Sequence, residues 1–192
     1  MTSDPFFDEL RRRLPGVRIV VLPGGPDGTS APEPPQPVPD VDLATAATRA
    51  SRARADALAL LRDVWPTASA GAAPPQTVQY AWQPDPGAGE IVASVTARLV
   101  GLVHDVRATL LPVAETLDAA GWQVVARPVG HAGARLHADR GDQRLDVVAW
   151  GPDGPWDVTA GATAAVGQHA AAVSATGTVD AGWHDDAPEV AP

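Results

Sequence analysis

The chain has no cysteine and no lysine, and all 14 of its cationic side chains are arginine. Without cysteine there is no disulfide, thiolate metal site, cysteine nucleophile or lipid attachment at a thiol, and redox chemistry leaves no mark of compartment. Without lysine there is no Schiff-base amine and no phosphate-gripping lysine of a P-loop. No apolar run approaches the length of a membrane span, and residues 1–14 are charged and interrupted by proline, unlike a signal peptide. These absences lead to the expectation of a cytoplasmic protein with no membrane partner. Aromatic residues are few and skewed, with six tryptophans against one tyrosine and two phenylalanines.

What remains is ample for one folded domain: 192 residues, of which 45% are hydrophobic. The net charge is -9, but residues 24–40 carry -3 of it and residues 161–192 carry -4, so the rest of the chain is nearly neutral. An acidic chain with no basic stripe is a poor ligand for phosphate backbones, so no nucleic-acid partner is expected.

The pattern along the chain gives four regions. Residues 1–22 read as an arm. Its short helix over 3–14 is capped by Ser3, carries Phe6, Leu10 and Leu14 on one side, and is followed by a strand over 17–22 with the option of adding to the edge of a sheet. Residues 23–40, with seven prolines, are a linker that cannot bury a core. Residues 41–160 make an α+β domain, and residues 161–192 read as a disordered, Ala/Gly-rich acidic tail with transient helix over 162–175.

Within the domain, residues 40–65 predict an Ala-rich helix with Leu43, Ala47, Ala50, Ala57, Leu61 and Val64 on one stripe. A strand follows over 77–83. Val92, Val95, Leu99, Leu102, Val106, Leu110, Val113 and Leu117 recur at spacings of three and four, which predicts one long amphipathic helix that Pro112 kinks or breaks. The part from 91 to 100 also alternates, so a strand is the other reading there, although it leaves 102–117 without an account. From Gly121 the period becomes two, with strands over 122–127, 133–139, 143–150 and 155–160 and turns at Arg140-Gly141 and at 151–154. The economical architecture is an antiparallel β-meander packed on the long helix, although that helix could equally bury its stripe against a second chain, which leaves the oligomeric state open.

Few residues suggest chemistry. His137 and Asp139 share one face of a strand, as in a two-histidine, one-carboxylate metal site, with His104, His131, His169 or His184 as candidate third ligand. The ordinary reading is a histidine on a wet face and an aspartate at a turn. His104-Asp105 falls on a helix, where adjacent residues do not face one another. No serine sits in a nucleophile elbow, and the Gly24-Gly25-Pro26-Asp27-Gly28 stretch lacks the helix and lysine of a phosphate loop. Arg140-Gly141-Asp142 spells an adhesion tripeptide, but a hairpin tip needs that glycine anyway.

The tryptophans divide. Trp122 and Trp156 alternate in step with Val124 and Val158 and belong in the core. Trp150 shares the opposite face with Arg144 and Asp146, and with Arg127 and Arg135 it has the composition of a binding patch. Phe6, Phe7 and Trp183 stand as aromatic anchors on flexible arms, unless they dock on the chain's own domain. Leu117-Asp-Ala-Ala-Gly121-Trp122, Arg140-Gly141 and Leu145-Asp-Val-Val148 together resemble the helix, Gly-Trp and meander pattern of small actinobacterial lipoproteins of unassigned function. The resemblance implies a helix-plus-sheet scaffold and no catalytic residue. The lipobox cysteine of that group is absent here, so surface anchoring does not carry over. The expectation is therefore a non-catalytic interaction protein of adaptor or chaperone-like kind, with a protein partner and no cofactor. The alternative is a metal-dependent enzyme using His137 and Asp139.

Overall fold

The computed structural model describes residues 40–69, 71–84, 89–100, 105–151, 154–175 and 177–191, together with Glu9, Arg12 and Arg13. Those three are helical, with Glu9 paired to both arginines. Phe6, Phe7, the strand expected over 17–22 and the Pro-rich linker as far as residue 39 lie outside the described residues.

Asp42 starts the first long helix, α1 (Leu43–Ala68): its carboxylate accepts from the Thr45 backbone N–H at 2.8 Å and from the Thr45 hydroxyl at 2.7 Å. This satisfies a donor that the first turn would otherwise leave orphaned. The helix buries Ala46, Ala47, Ala50, Ala53 and Ala57, then Leu58, Leu61, Val64 and Trp65, whereas Leu43, expected on this stripe, is exposed. Pro66 lies in the last turn without ending the helix.

Among the described residues seven strands form one antiparallel sheet: β1 (Thr77–Pro84), β2 (Glu90–Leu99), β3 (Gln123–Val129), β4 (Gly133–Arg140), β5 (Gln143–Ala149), β6 (Trp156–Ala165) and β7 (Val179–Gly182). Their order across the sheet is β3-β4-β5-β6-β2-β1-β7. The four-stranded meander thus returns to pair β6 with β2, and the chain ends by adding β7 outside β1. A second helix, α2 (Val106–Ala119), connects β2 to β3, and a short α3 (Ala170–Ser174) precedes β7. The α+β class, with an antiparallel sheet on a long helix, agrees with the sequence. Which helix plays that part does not.

The long helix expected over 92–117 is instead a strand followed by a helix. Val92 and Val95 differ by an odd number of residues, so in β2 they lie on opposite faces, and both are buried. The alternation of residues 91–99 is broken at Val92, an apolar residue buried on the second face, and with it Val92, Val95 and Leu99 fall at helical spacing by coincidence. β-Branched Ile91, Val92, Val95 and Thr96 favour the extended form. The helical stripe is real only from Val106, through Leu110, Val113 and Leu117. α2 continues through Pro112, and the Ala108 carbonyl that proline cannot serve is on the exposed side.

α2 ends in a Schellman motif. The Trp122 N–H donates to the Leu117 carbonyl at 3.0 Å, the Gly121 N–H to that of Asp118 at 2.9 Å, and Gly121 takes a φ of 81°. The Leu-Asp-Ala-Ala-Gly-Trp run is therefore a helix stop that also seats Trp122 in the core.

It is the Ala-rich α1 that lies across β6 and β2. Ala160, Ala162 and Ala164 on β6 and Ala93 and Ala97 on β2 face the alanines of the helix, so small meets small and the backbones approach closely. This contact also revises the tail. Residues 161–165, expected to be disordered or transiently helical, complete β6 and pair in register with β2 as far as Glu90↔Ala165. Alanine prefers a helix, but two neighbouring strands and a helix that accepts only small side chains override that preference. Trp156 closes the end of this layer, its indole N–H donating to the Ala68 carbonyl at 2.9 Å.

The β4–β5 hairpin turns at Gly141-Asp142 rather than at Arg140-Gly141, with Gly141 at a φ of 65°. A turn at Arg140-Gly141 would set Leu136 opposite Leu145 and His137 opposite Arg144; every pairing is displaced by two from that register, so Leu136 faces Val147 and His137 faces Asp146. A shift of two preserves the inward and outward assignments, because side chains alternate with a period of two.

Candidate functional site

The helices cover one face of the sheet, and the other carries its polar residues. Pairing sets Arg127, Arg135, Val148, Asp157 and Arg98 in one row across β3, β4, β5, β6 and β2, and Val125, His137, Asp146, Thr159 and Thr96 in the next. A third row holds Gln123, Asp139, Arg144 and Gly161.

Two carboxylates organise this face. Asp146 Oδ1 accepts from Arg135 Nε at 2.6 Å and lies 3.0 Å from His137 Nδ1, while His137 Nε2 is 3.0 Å from Asp139 Oδ2. Both ring nitrogens thus face acids, which suits the imidazolium, a donor at both positions. The hydrogen bond to Asp146 raises the His137 pKa above its ordinary value; partial burial opposes the rise, and the charges of Asp146 and Asp139 add to it. For Asp146, burial works against ionisation, but the hydrogen bonds from His137 and Arg135 outweigh it and hold the carboxyl below the ordinary carboxylate range.

The second organiser is Asp157, which is buried. Arg98 grips it with two hydrogen bonds of 2.6 and 3.0 Å, and the Trp150 indole N–H donates to Oδ2 at 3.0 Å. The two-pronged arginine contact fixes the carboxylate, and the carboxylate in turn fixes the indole. Trp150 is 54% exposed even so. Beside this cluster, the Thr96 and Thr159 hydroxyls share a 2.8 Å hydrogen bond.

The residues expected at a binding patch distribute as follows. Trp150 and Arg127 are exposed, and Arg135 is exposed while engaged with Asp146. Arg144 is half-buried, in register with Asp139. All four lie on the same face. Trp183 corrects the expectation of an anchor on a flexible arm: it is buried and meets Trp65 edge-on at 5.1 Å. Its large apolar surface is already covered by the chain's own domain.

His137 and Asp139 do share a face, but the histidine has carboxylates at both nitrogens and offers no lone pair directed elsewhere. His169 Nε2 is taken up at 2.9 Å by the Val41 carbonyl, and His104 lies outside the described residues. Among the described residues no three His, Asp or Glu side chains are placed to hold one ion. Arg98 and Asp157 were not expected at this site. Arg98 lay in the stretch read as helix. Asp157 had a signal, since alternation from buried Trp156 turns it outward beside Trp150. No helix among the described residues is long and apolar enough to cross a membrane. No family model, curated protein or solved structure matches the chain.

Proposed function

We propose that the protein is a non-catalytic interaction module of adaptor kind, which receives a protein partner on the outer face of the sheet around Trp150. The observation that carries this reading is the geometry of Trp150, a large aromatic surface left open to solvent while its indole N–H is pinned by Asp157. A fixed, exposed tryptophan loses little conformational freedom on binding, and Trp and Arg dominate interface hot spots. Charge indicates the kind of partner. On β3–β5 the outward residues Arg127, Arg135, Arg144 and His137 outnumber the outward acids Asp139 and Asp146, against the net charge of -9 for the chain. An acidic protein surface with an apolar contact at its centre complements that arrangement, and its binding weakens as salt screens the charges.

The test is a capture experiment from the native cell with two baits in parallel, the wild-type chain and a Trp150→Ala/Arg144→Ala double variant, each checked for folding by circular dichroism. The expected result is a stoichiometric protein retained by the first and lost by the second. A partner held equally by both would place recognition elsewhere.

A further inference from the structure

Residues 183–190 lie along α1 and are held chiefly through their backbone. Arg62 donates from Nε to the Trp183 carbonyl at 3.0 Å and from Nη2 to the carbonyls of Trp183 and Asp185, the latter at 2.8 Å. Eight residues earlier on the helix, Arg54 donates to the Pro188 carbonyl at 3.3 Å, and the Ser51 hydroxyl accepts from the Val190 N–H at 2.9 Å. The segment therefore runs antiparallel to the helix. It buries Trp183 at one end and Val190 at the other, while His184, Asp185, Asp186 and Glu189 face solvent.

Two features give this groove the character of a receptor. Arg54 is only 2% exposed and its guanidinium stacks over Trp82 at 4.7 Å, a contact between α1 and β1 that the strap does not provide. The cation is thus held in place by the groove itself. Tyr80, on β1, is completely buried, and its hydroxyl has no hydrogen-bond partner among the described residues. That hydroxyl lies within electrostatic reach of Arg54, Arg62 and Asp185, so the floor of the groove offers a polar group that the strap leaves unused. The link to the sheet is slight, since β7 has four residues and, among the described residues, pairs with β1 alone.

We propose that the groove between α1 and β1 is a binding site for an extended acidic peptide of another protein, and that residues 183–190 are its built-in competitor. Recognition rests on arginines reading main-chain carbonyls, which any extended peptide supplies. Selectivity comes from a pocket for an aromatic side chain and another, seven residues on, for a small aliphatic one. Acidic flanks follow the strap itself, which carries Asp185, Asp186 and Glu189 on its solvent side with the half-buried Arg62 bound to the Asp185 carbonyl. A strap occupying the site lowers the apparent affinity by the fraction of time it is closed. This site lies on the helix-covered side of the sheet and stands independently of the Trp150 face.

The probe is a fluorescent synthetic peptide with the sequence of residues 179–191, titrated by polarisation into full-length chain. The wild type is expected to bind weakly. Trp183→Ala and Val190→Asp, which loosen opposite ends of the strap, are expected to bind at least about tenfold more tightly. Adding Arg62→Ala to either should abolish the gain, and a scrambled peptide should not bind. If Trp183→Ala fails to fold, Val190→Asp decides alone. Folded strap variants that bind no more tightly than wild type overturn the proposal, as does a strap variant that forms a dimer by light scattering and leaves the peptide unbound.

Discussion

The two faces of the sheet solve opposite problems. The inner face is limited by size: Ala93, Ala97, Ala160, Ala162 and Ala164 lie under the alanines of α1, and space is filled by a few large residues such as Trp156 and Leu145. The outer face is limited by charge, with Asp146 and Asp157 each serving two donors. Close-packed apolar layers resist any change in volume, whereas a solvated ion network tolerates changes of shape and responds to pH and salt. The inner face therefore holds the fold, and the outer face can change with its surroundings without undoing it.

The largest effect should come from emptying the inner face. Trp156→Ala removes a fully buried ring and the donor to the Ala68 carbonyl, and should cost about 3–5 kcal/mol in urea unfolding. Overfilling the same layer is the sharper test of close approach. Ala50→Leu, at a site with no exposed surface, should cost about 1–3 kcal/mol, while an equal insertion at exposed Ala108 should be nearly neutral. Equal costs at the two sites would mean that α1 is not packed closely on β6.

On the outer face the effects should be smaller and dependent on pH. Asp146→Asn removes the carboxylate shared by Arg135 and His137 and should cost about 1 kcal/mol near neutrality. The folded pKa of His137 is raised, so its contribution is complete below the unfolded value of about 6.5 and is lost as pH rises through the folded value. The folded pKa of Asp146 is lowered, so its contribution is complete above the unfolded value of about 3.8 and is lost as pH falls through the folded value. An NMR titration should place the His137 midpoint above the ordinary one, and Asp146→Asn should move it down. An unmoved midpoint would break the claim that Asp146 governs the histidine. Trp150→Ala should be the mildest change for stability, below about 1 kcal/mol by thermal melting, because the ring is mostly in solvent and Arg98 keeps both its hydrogen bonds to Asp157 when the indole donor is lost.

Much of this division was legible in the residues. Alternation placed Trp122 and Trp156 inside and Trp150, Arg127, Arg135 and Arg144 outside, and those assignments survived a hairpin register displaced by two. The candidate site was half visible for the same reason: its side chains from β3–β5 could be assigned to a face, but the partners of Trp150 could not. Arg98 reaches Asp157 only because β6 returns beside β2, 59 residues back along the chain. No local pattern encodes that adjacency. Trp183 is the same case at longer range, since its burial depends on a helix that ends more than 100 residues earlier.

By itself the sequence determined what is local. Residues 40–65 carry a helical stripe, the period changes from helix to strand at Gly121, glycine at 141 permits a tight turn, and period-two alternation sorts the side chains of the meander into a dry and a wet face. Only the tertiary structure decided where local signals conflict or fall silent. Residues 90–99 read as either element until strands on both sides of β2 satisfied its backbone groups, and residues 161–165 became a strand because β2 pairs with them along their whole length. The physical reason is that short-range propensities are worth a fraction of a kcal/mol per residue, whereas pairing and burial act on all the residues of an element at once.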